Sequence, residues 1–222
     1  MKVSPPMNGS VKKALSVVAL LLCMAGNAAA QSNYSVQSPN KKIEVKVRAG
    51  DRLSYDVLVN GRAVLQDSAL TLKVEQQTLG LNPKVRAAKT RSHDQVLAPV
   101  VRQKFAGVRE NYNELRLEFE GRYAVVFRAY NEGAAYRFET TLQQGEVKVY
   151  GEEAGFNFAD NYTVYYPEED SMFSHNERQF LPRPMKEIAP RTMASVPAVV
   201  DANGIKIAIA DSDVEEYPGL WL

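Results

Sequence analysis

The acidic residues near the carboxy end are the first that could do chemistry. Asp211-Ser212-Asp213-Val214-Glu215 sets three carboxylates at alternate positions directly after an apolar strand, Ile205 to Ala210. Their oxygens could converge on a hard cation such as calcium. The segment is not an EF-hand loop, because Glu216 stands where that loop turns on glycine and no acid closes it. A solvated acidic turn accounts for the same residues.

A second polar cluster lies upstream. Glu168-Glu169-Asp170 and Ser174-His175-Asn176-Glu177-Arg178 are flanked by Tyr165, Tyr166, Phe173 and Phe180. Rings beside carboxylates and amides suit a sugar, whose C–H face stacks on an aromatic while its hydroxyls take paired polar partners. A rim of core aromatics with exposed charges reads the same way. Two acids for glycoside hydrolysis can be chosen from this chain, but nothing in the sequence sets their separation, so no catalytic pair is assigned.

Other chemistries are poorly provided for. There are two histidines, His93 and His175, and no Gly-x-Ser-x-Gly elbow or phosphate-binding glycine loop. His93, in Thr90-Arg91-Ser92-His93-Asp94, reads most simply as a solvated loop residue.

The amino end reads as an export signal over residues 1–30. Lys12 and Lys13 precede the apolar run Ala14 to Met24, too short for a stop-transfer helix, and Ala28-Ala29-Ala30 supplies the small-residue cleavage pattern. Cys23 follows Leu22, where a lipid anchor needs a small residue. Cleavage before Gln31 leaves residues 31–222 as one domain without cysteine, hence without disulfides or thiolate metal sites. The mature chain carries 24 basic and 26 acidic residues. That near-neutral balance offers no general footprint for nucleic acid or for a membrane surface, and a periplasmic or secreted protein is expected.

The elements that must position these groups are strands. Period-two alternation runs through Ile43 to Arg48, through Leu53, Tyr55, Val57 and Val59, through Leu115, Leu117 and Phe119, through Tyr123, Val125 and Phe127, and through Tyr136, Phe138 and Ile205, Ile207, Ile209. Asn60-Gly61 and Asn203-Gly204 are hairpin turns. No stretch after the leader has the length and capping of a long helix. An all-β, antiparallel fold follows, with a sandwich favoured over a closed barrel. Between Tyr162 and Val200 alternation weakens and prolines cluster, which predicts an irregular surface excursion.

In order and spacing, several segments resemble the N-terminal domain of glycoside hydrolase family 97. They are Ser38-Pro39-Asn40 through Val45, Gly50-Asp51-Arg52-Leu53-Ser54-Tyr55, Asn60-Gly61, Val64-Leu65, Tyr112-Asn113-Glu114-Leu115, Arg128 to Phe138, and Tyr217-Pro218-Gly219-Leu220. Thr71 departs from the pattern, which has glycine after the Leu70 position. The resemblance implies an exported exo-acting α-glucosidase or α-galactosidase that uses calcium. Its N-terminal part would be a galactose mutarotase-like super-β-sandwich, followed by a catalytic (β/α)8 barrel and a β domain. The catalytic carboxylates would lie on the barrel, so none is expected here.

The family's α-glucosidases take one calcium-binding glutamate from the N-terminal domain, and the matching position here is Asp211, a shorter carboxylate. Ser174 to Arg178 resembles a segment near the substrate pocket, which points to His175, Glu177 and Arg178 as substrate-binding. The implied partners are an oligosaccharide and the protein's own barrel, and the apolar ending Trp221-Leu222 agrees with a chain that continues. The other reading is a free-standing secreted carbohydrate-binding or interaction module without catalysis.

Overall fold

The computed structural model describes residues 32–75, 77–101, 104–142, 147–212, 214 and 217–222. The expected leader, 1–30, lies outside the described residues. Among the described residues fifteen strands follow one another: β1 (Ser32–Gln37), β2 (Ile43–Ala49), β3 (Leu53–Val59), β4 (Arg62–Val74), β5 (Gln77–Leu79), β6 (Val85–Leu97), β7 (Val108–Phe119), β8 (Tyr123–Tyr130), β9 (Ala134–Thr140), β10 (Val149–Ala154), β11 (Thr163–Glu169), β12 (Phe180–Pro184), β13 (Met193–Ala194), β14 (Ala198–Ala202) and β15 (Ile205–Ile209). The helical content among the described residues is a single 3-10 turn, Met185–Glu187.

Two antiparallel sheets make the sandwich. One runs β1-β2-β3-β4-β10 with β5 added to β4, and the other runs β6-β7-β8-β9. Their inner faces meet over Val45, Val47, Leu53, Leu70, Leu117, Val125 and Phe127, all essentially without solvent exposure. All of these but Leu70 are alternating positions read from the sequence, because a pleated strand with one wet face must be apolar at every second residue. The Asn-Gly turns form as expected, with Asn60 and Gly61 at φ 51° and 79° and Asn203 and Gly204 at φ 53° and 93°. Thr71 sits in the middle of β4 opposite Glu153, and its hydroxyl lies 3.4 Å from that carboxylate.

The structure corrects the sequence reading in two places. The stretch 162–200 is no irregular excursion. It supplies most of a third sheet, β12-β11-β14-β15 with β13 on β11, over a small core of Tyr162, Val164, Tyr166, Ala198, Val200 and Ala202. The strands are short and proline-rich because Pro182 and Pro184 lie in β12, at the sheet edge, where no ladder N–H is required of them.

The second correction concerns His93, which is in β6 and not in a loop. It pairs with Tyr112 of β7, stacks on that ring with centroids 4.9 Å apart, and places Nε2 2.9 Å from Glu110 Oε2. β6 is an edge strand exposed on most of its length, so it carries no alternation to read.

Candidate functional site

The third sheet brings the sequence-designated residues to one end. β11 runs outward to Glu169, β12 starts from Phe180 opposite Pro167, and β15 finishes at Ile209 opposite Ala198, the first residue of β14. The loop 170–179 and Asp211 therefore leave the sheet at the same edge of its strands. The chain's final residues return there as well: Ala194 and Leu222 exchange backbone hydrogen bonds of 2.8 and 2.9 Å, and Ser195 bridges Trp221.

Glu169 organises this end. Its side chain is fully buried, Arg178 Nε donates to Oε2 at 2.9 Å, and Ser195 Oγ donates to Oε1 at 3.2 Å. Arg178 also reaches Asp170 at 3.3 Å. Arg178 is thus first a tether that fastens the far side of the loop to the sheet. A buried carboxylate is tolerable only with such partners, since an unpaired charge there would lose its hydration with nothing in return.

Hydrogen bonding from the Ser174 hydroxyl, then from Arg178 and Ser195, holds the Glu169 carboxyl below the usual glutamate value in spite of burial. A depressed value in the folded chain means that the tether's stabilisation is complete above about pH 4.5, the ordinary glutamate value, and is lost as pH falls through the folded value. Hydrogen exchange of the 170–178 amides, corrected for its intrinsic pH dependence, is expected to accelerate in that acid range. Glu169→Gln should flatten the dependence.

His175 and Glu177 are exposed on the loop. The Glu177 N–H donates to His175 Nδ1 at 3.1 Å, so a neutral His175 ring carries its proton on Nε2. Ser171 and Ser174 hydroxyls accept the amides of Phe173 and Asn176 at 3.2 and 2.9 Å, and Asn176 takes the left-handed conformation at φ 58°. The loop is shaped by its own short-range bonds.

The aromatics divide. Tyr166 belongs to the core, with its hydroxyl donating to Glu168 at 3.2 Å, whereas Tyr165, Phe173 and Phe180 are exposed. Tyr165 and Phe180 share one face of the sheet, since Phe180 pairs with Pro167, two residues along β11 from Tyr165.

Asp211 is exposed, and its Oδ2 accepts the Leu220 N–H at 2.7 Å, closing the segment 211–220. Asp213 and Glu215, the other acids of the expected cation turn, lie outside the described residues. Among the described residues no three carboxylate or imidazole groups converge as a metal site would require. A calcium ion takes six to eight oxygens. The described residues do not fit a self-contained calcium site: Asp211 offers one carboxylate, already holding an amide.

Sequence reasoning missed Glu169 and Ser195 as the residues that seat the loop. No spacing announces them, because Ser195 meets Glu169 only through the pairing of β13 with β11. Two surface depressions, of about 530 and 290 Å³, lie beside β1 and share no residue with this end.

A model of the family described as "Glycosyl-hydrolase 97 N-terminal" matches residues 36–222. The chain is 32% identical over 218 residues to a retaining alpha-galactosidase of Bacteroides thetaiotaomicron, covering 91% of this chain and 32% of that protein. It thus spans about a third of the length of that curated relative. A glycoside hydrolase family 97 enzyme from Pseudoalteromonas sp. strain K8, solved with acarbose, superposes with a TM-score of 0.75 at 19% identity over 85% of this chain and 30% of its own. A beta-arabinopyranosidase superposes with a TM-score of 0.66 at 24% identity, over 75% and 29%. At these identities the solved structures establish the sandwich fold. With its sheets, its landmarks and the family match all spanning the same residues, the chain belongs to the N-terminal domain family of glycoside hydrolase 97.

Proposed function

We propose that this chain is the N-terminal domain of an exported, exo-acting α-glycosidase, an α-galactosidase before an α-glucosidase, that works with a catalytic (β/α)8 barrel. In this reading the end of the third sheet faces the oligosaccharide. His175, Glu177 and Arg178 contact the sugar, and Asp211 gives one carboxylate to a calcium shell whose other ligands come from the barrel. A calcium ion so placed would supply charge to polarise a sugar oxygen or orient a carboxylate. The leader pattern at residues 1–30 supports a periplasmic or secreted location.

The observation that carries the reading is the convergence of the 170–179 loop, Asp211 and the chain's last residues at one end of one sheet. The loop and Asp211, 32 or more residues apart in sequence, share that end, and Glu169 ties the loop down. The preference for α-galactoside rests on the 32% identical relative.

Two measurements test it. The coding sequence past Leu222 should continue into alternating strand and helix patterns, and a stop codon there in intact genomic DNA would refute the domain reading. Purified residues 31–222 should not hydrolyse p-nitrophenyl α-galactoside or α-glucoside, and should bind calcium weakly or not at all by calorimetry. Micromolar affinity that disappears in Asp211→Ala would show a self-sufficient site instead.

The exposed Tyr165, Phe173 and Phe180 favour one other reading, a free-standing sugar-binding module. It predicts saturable binding of oligosaccharide by residues 31–222, weakened tenfold or more by Phe173→Ala.

A further inference from the structure

The two sheets of the sandwich do not end together on the β1 side. β7 and β8 pack over β1, and β8 over β2, so β6, the next strand past β7, has no strand of the first sheet facing it. The inward positions of β6 are Ala88, Thr90 and Ser92, paired with Leu117, Leu115 and Asn113, and all three are exposed. They floor a slot of about 530 Å³ whose wall is β1. Ser35, Gln37, Thr90, Ser92 and Asn113 line it.

β1 turns a free backbone edge into this slot. Ser38 donates its N–H to the Ile43 carbonyl at 2.8 Å, and in an antiparallel ladder every second residue faces the partner strand. Ser32, Tyr34 and Val36 therefore bond to β2, while Asn33, Ser35 and Gln37 aim their N–H and C=O groups away from it. Asn113 marks that direction by donating Nδ2 to the Gln37 carbonyl at 2.7 Å. Among the described residues the outward backbone groups of Asn33 and Ser35 meet no protein partner.

A bare edge is a template for another strand, and sheets blunt their edges with charges, prolines or bulges. The other terminal strands carry such protection: Lys89 and Arg91 on β6, Arg137 on β9, Pro182 on β12, Lys206 on β15, and a bulge on β10. β1 has no charge, no proline and an unbroken register.

The slot also sets what can fill it. An antiparallel β1–β1 pairing of two copies would bring both second sheets to the same side and drive each overhanging β6 into the other. The chain's own last residues lie elsewhere, since the Tyr217 hydroxyl donates at 2.8 Å to Glu152 of β10, the opposite edge of the sheet from β1. An oligosaccharide would find hydroxyls, but no aromatic ring lines the slot for its C–H face. An extended peptide pairs the free N–H and C=O groups in series. It needs no charge, because Arg91 and Glu114 at the rim satisfy one another.

We propose that β1 is an acceptor edge for a strand supplied by another protein: an uncharged, extended peptide that pairs with β1 and lies across Thr90 and Ser92 of β6. Its residues opposite Tyr34 and Val36 point into the slot, where β-branched side chains pack beside Val36 and on the Thr90 methyl group. Those opposite Ser35 point to solvent.

The test takes the full-length protein and random heptapeptides displayed on phage. Selected sequences should be uncharged and β-branched at alternate positions. A synthetic peptide of that consensus should slow hydrogen exchange of the Asn33 and Ser35 amides at least tenfold, and in the free protein both should exchange fast. Amides already protected in the free protein would mean that its own chain or a second copy covers β1, and would overturn the proposal. Ser35→Pro deletes an N–H that faces the slot and none that β2 uses, so affinity should fall at least tenfold, whereas Ser35→Ala should bind as before. Thr90→Lys leaves β1 untouched and puts a long cation on the exposed floor, and it should weaken binding as much. Peptides indifferent to both variants, no selected peptide, or binding of maltoheptaose that Thr90→Lys abolishes would each defeat the acceptor edge.

Discussion

Gly80→Ala is expected to take away a large share of the domain's stability. Gly80 follows β5 with φ at 82°, and a methyl group there would come within 2.3 Å of the Leu70 carbonyl oxygen. That oxygen belongs to the backbone of β4 and Leu70 is fully buried, so neither can step aside by rotating a side chain. The same residue links three strands: the Leu53 N–H donates to the Gly80 carbonyl at 2.7 Å, and the Gly80 N–H donates to the Tyr123 hydroxyl at 3.2 Å. Left-handed strain in a non-glycine residue costs about 1–3 kcal/mol and a forced contact in a packed interior about 1–3 more, giving a loss on the order of 4 kcal/mol.

Gly61→Ala is the control. Gly61 has nearly the same φ, 79°, with nothing within 4 Å of the added carbon. Only backbone strain applies, and a loss of about 1 kcal/mol is expected. Urea unfolding followed by far-ultraviolet circular dichroism compares the two. Equal losses would mean that the close approach of β4 to Gly80 is not there.

Glu114→Ala is expected to cost about 3 kcal/mol, the low end of what breaking a buried ion pair brings. Glu114 is 6% exposed in β7 and takes hydrogen bonds from two strands: Arg91 of β6 through Nε and Nη2 at 2.7 and 2.9 Å, and Arg128 of β8 through Nε at 2.9 Å. Burial by itself would raise this carboxyl, but the two guanidinium groups outweigh it and hold it below the usual glutamate range. Removing it leaves Arg128, which lies over the Tyr112 ring 4.3 Å from its centre and is largely buried, with only the more distant Glu110 carboxylate at 4.0 Å. Arg91 is more than half exposed and can rehydrate, which keeps the cost at the low end.

A double-mutant cycle separates these terms. Arg91→Ala should cost far less than Glu114→Ala, as for an exposed pair. Adding Arg128→Ala to Glu114→Ala should recover part of the loss, because no poorly paired buried charge remains. If the double variant is less stable by the sum of the single losses, Glu114 and Arg128 are not coupled. The same trio ties β6 to the rest of its sheet, so its loss should also raise hydrogen exchange along Ala88–His93.

The strands of the sandwich core were legible because burial on one face imposes apolar residues at every second position, as in Val45-Val47 and Leu115-Leu117. The Asn-Gly turns were legible for a similarly local reason, the positive φ that few residues accept. Neither reason reaches β6, which is an edge strand wet on both faces, nor the short, proline-bearing strands of the third sheet. Their pairing is set by neighbours 13 to 38 residues away in the chain, such as Tyr165 with Pro182 and with Val199 or Thr163 with Asp201.

The candidate site divides along the same line. That His175, Glu177, Arg178 and Asp211 carry suitable groups is a matter of residue type and spacing, and the family landmarks made it visible in one dimension. That Arg178 is tethered to a buried Glu169, that Ser195 completes the pair, and that Asp211 spends one oxygen on the Leu220 amide follow from strand pairings closing far from those residues in sequence. Side-chain chemistry and local periodicity are properties of neighbouring residues and can be read along the chain. The company each charge keeps depends on which strands meet, and only the packed sheets decide that.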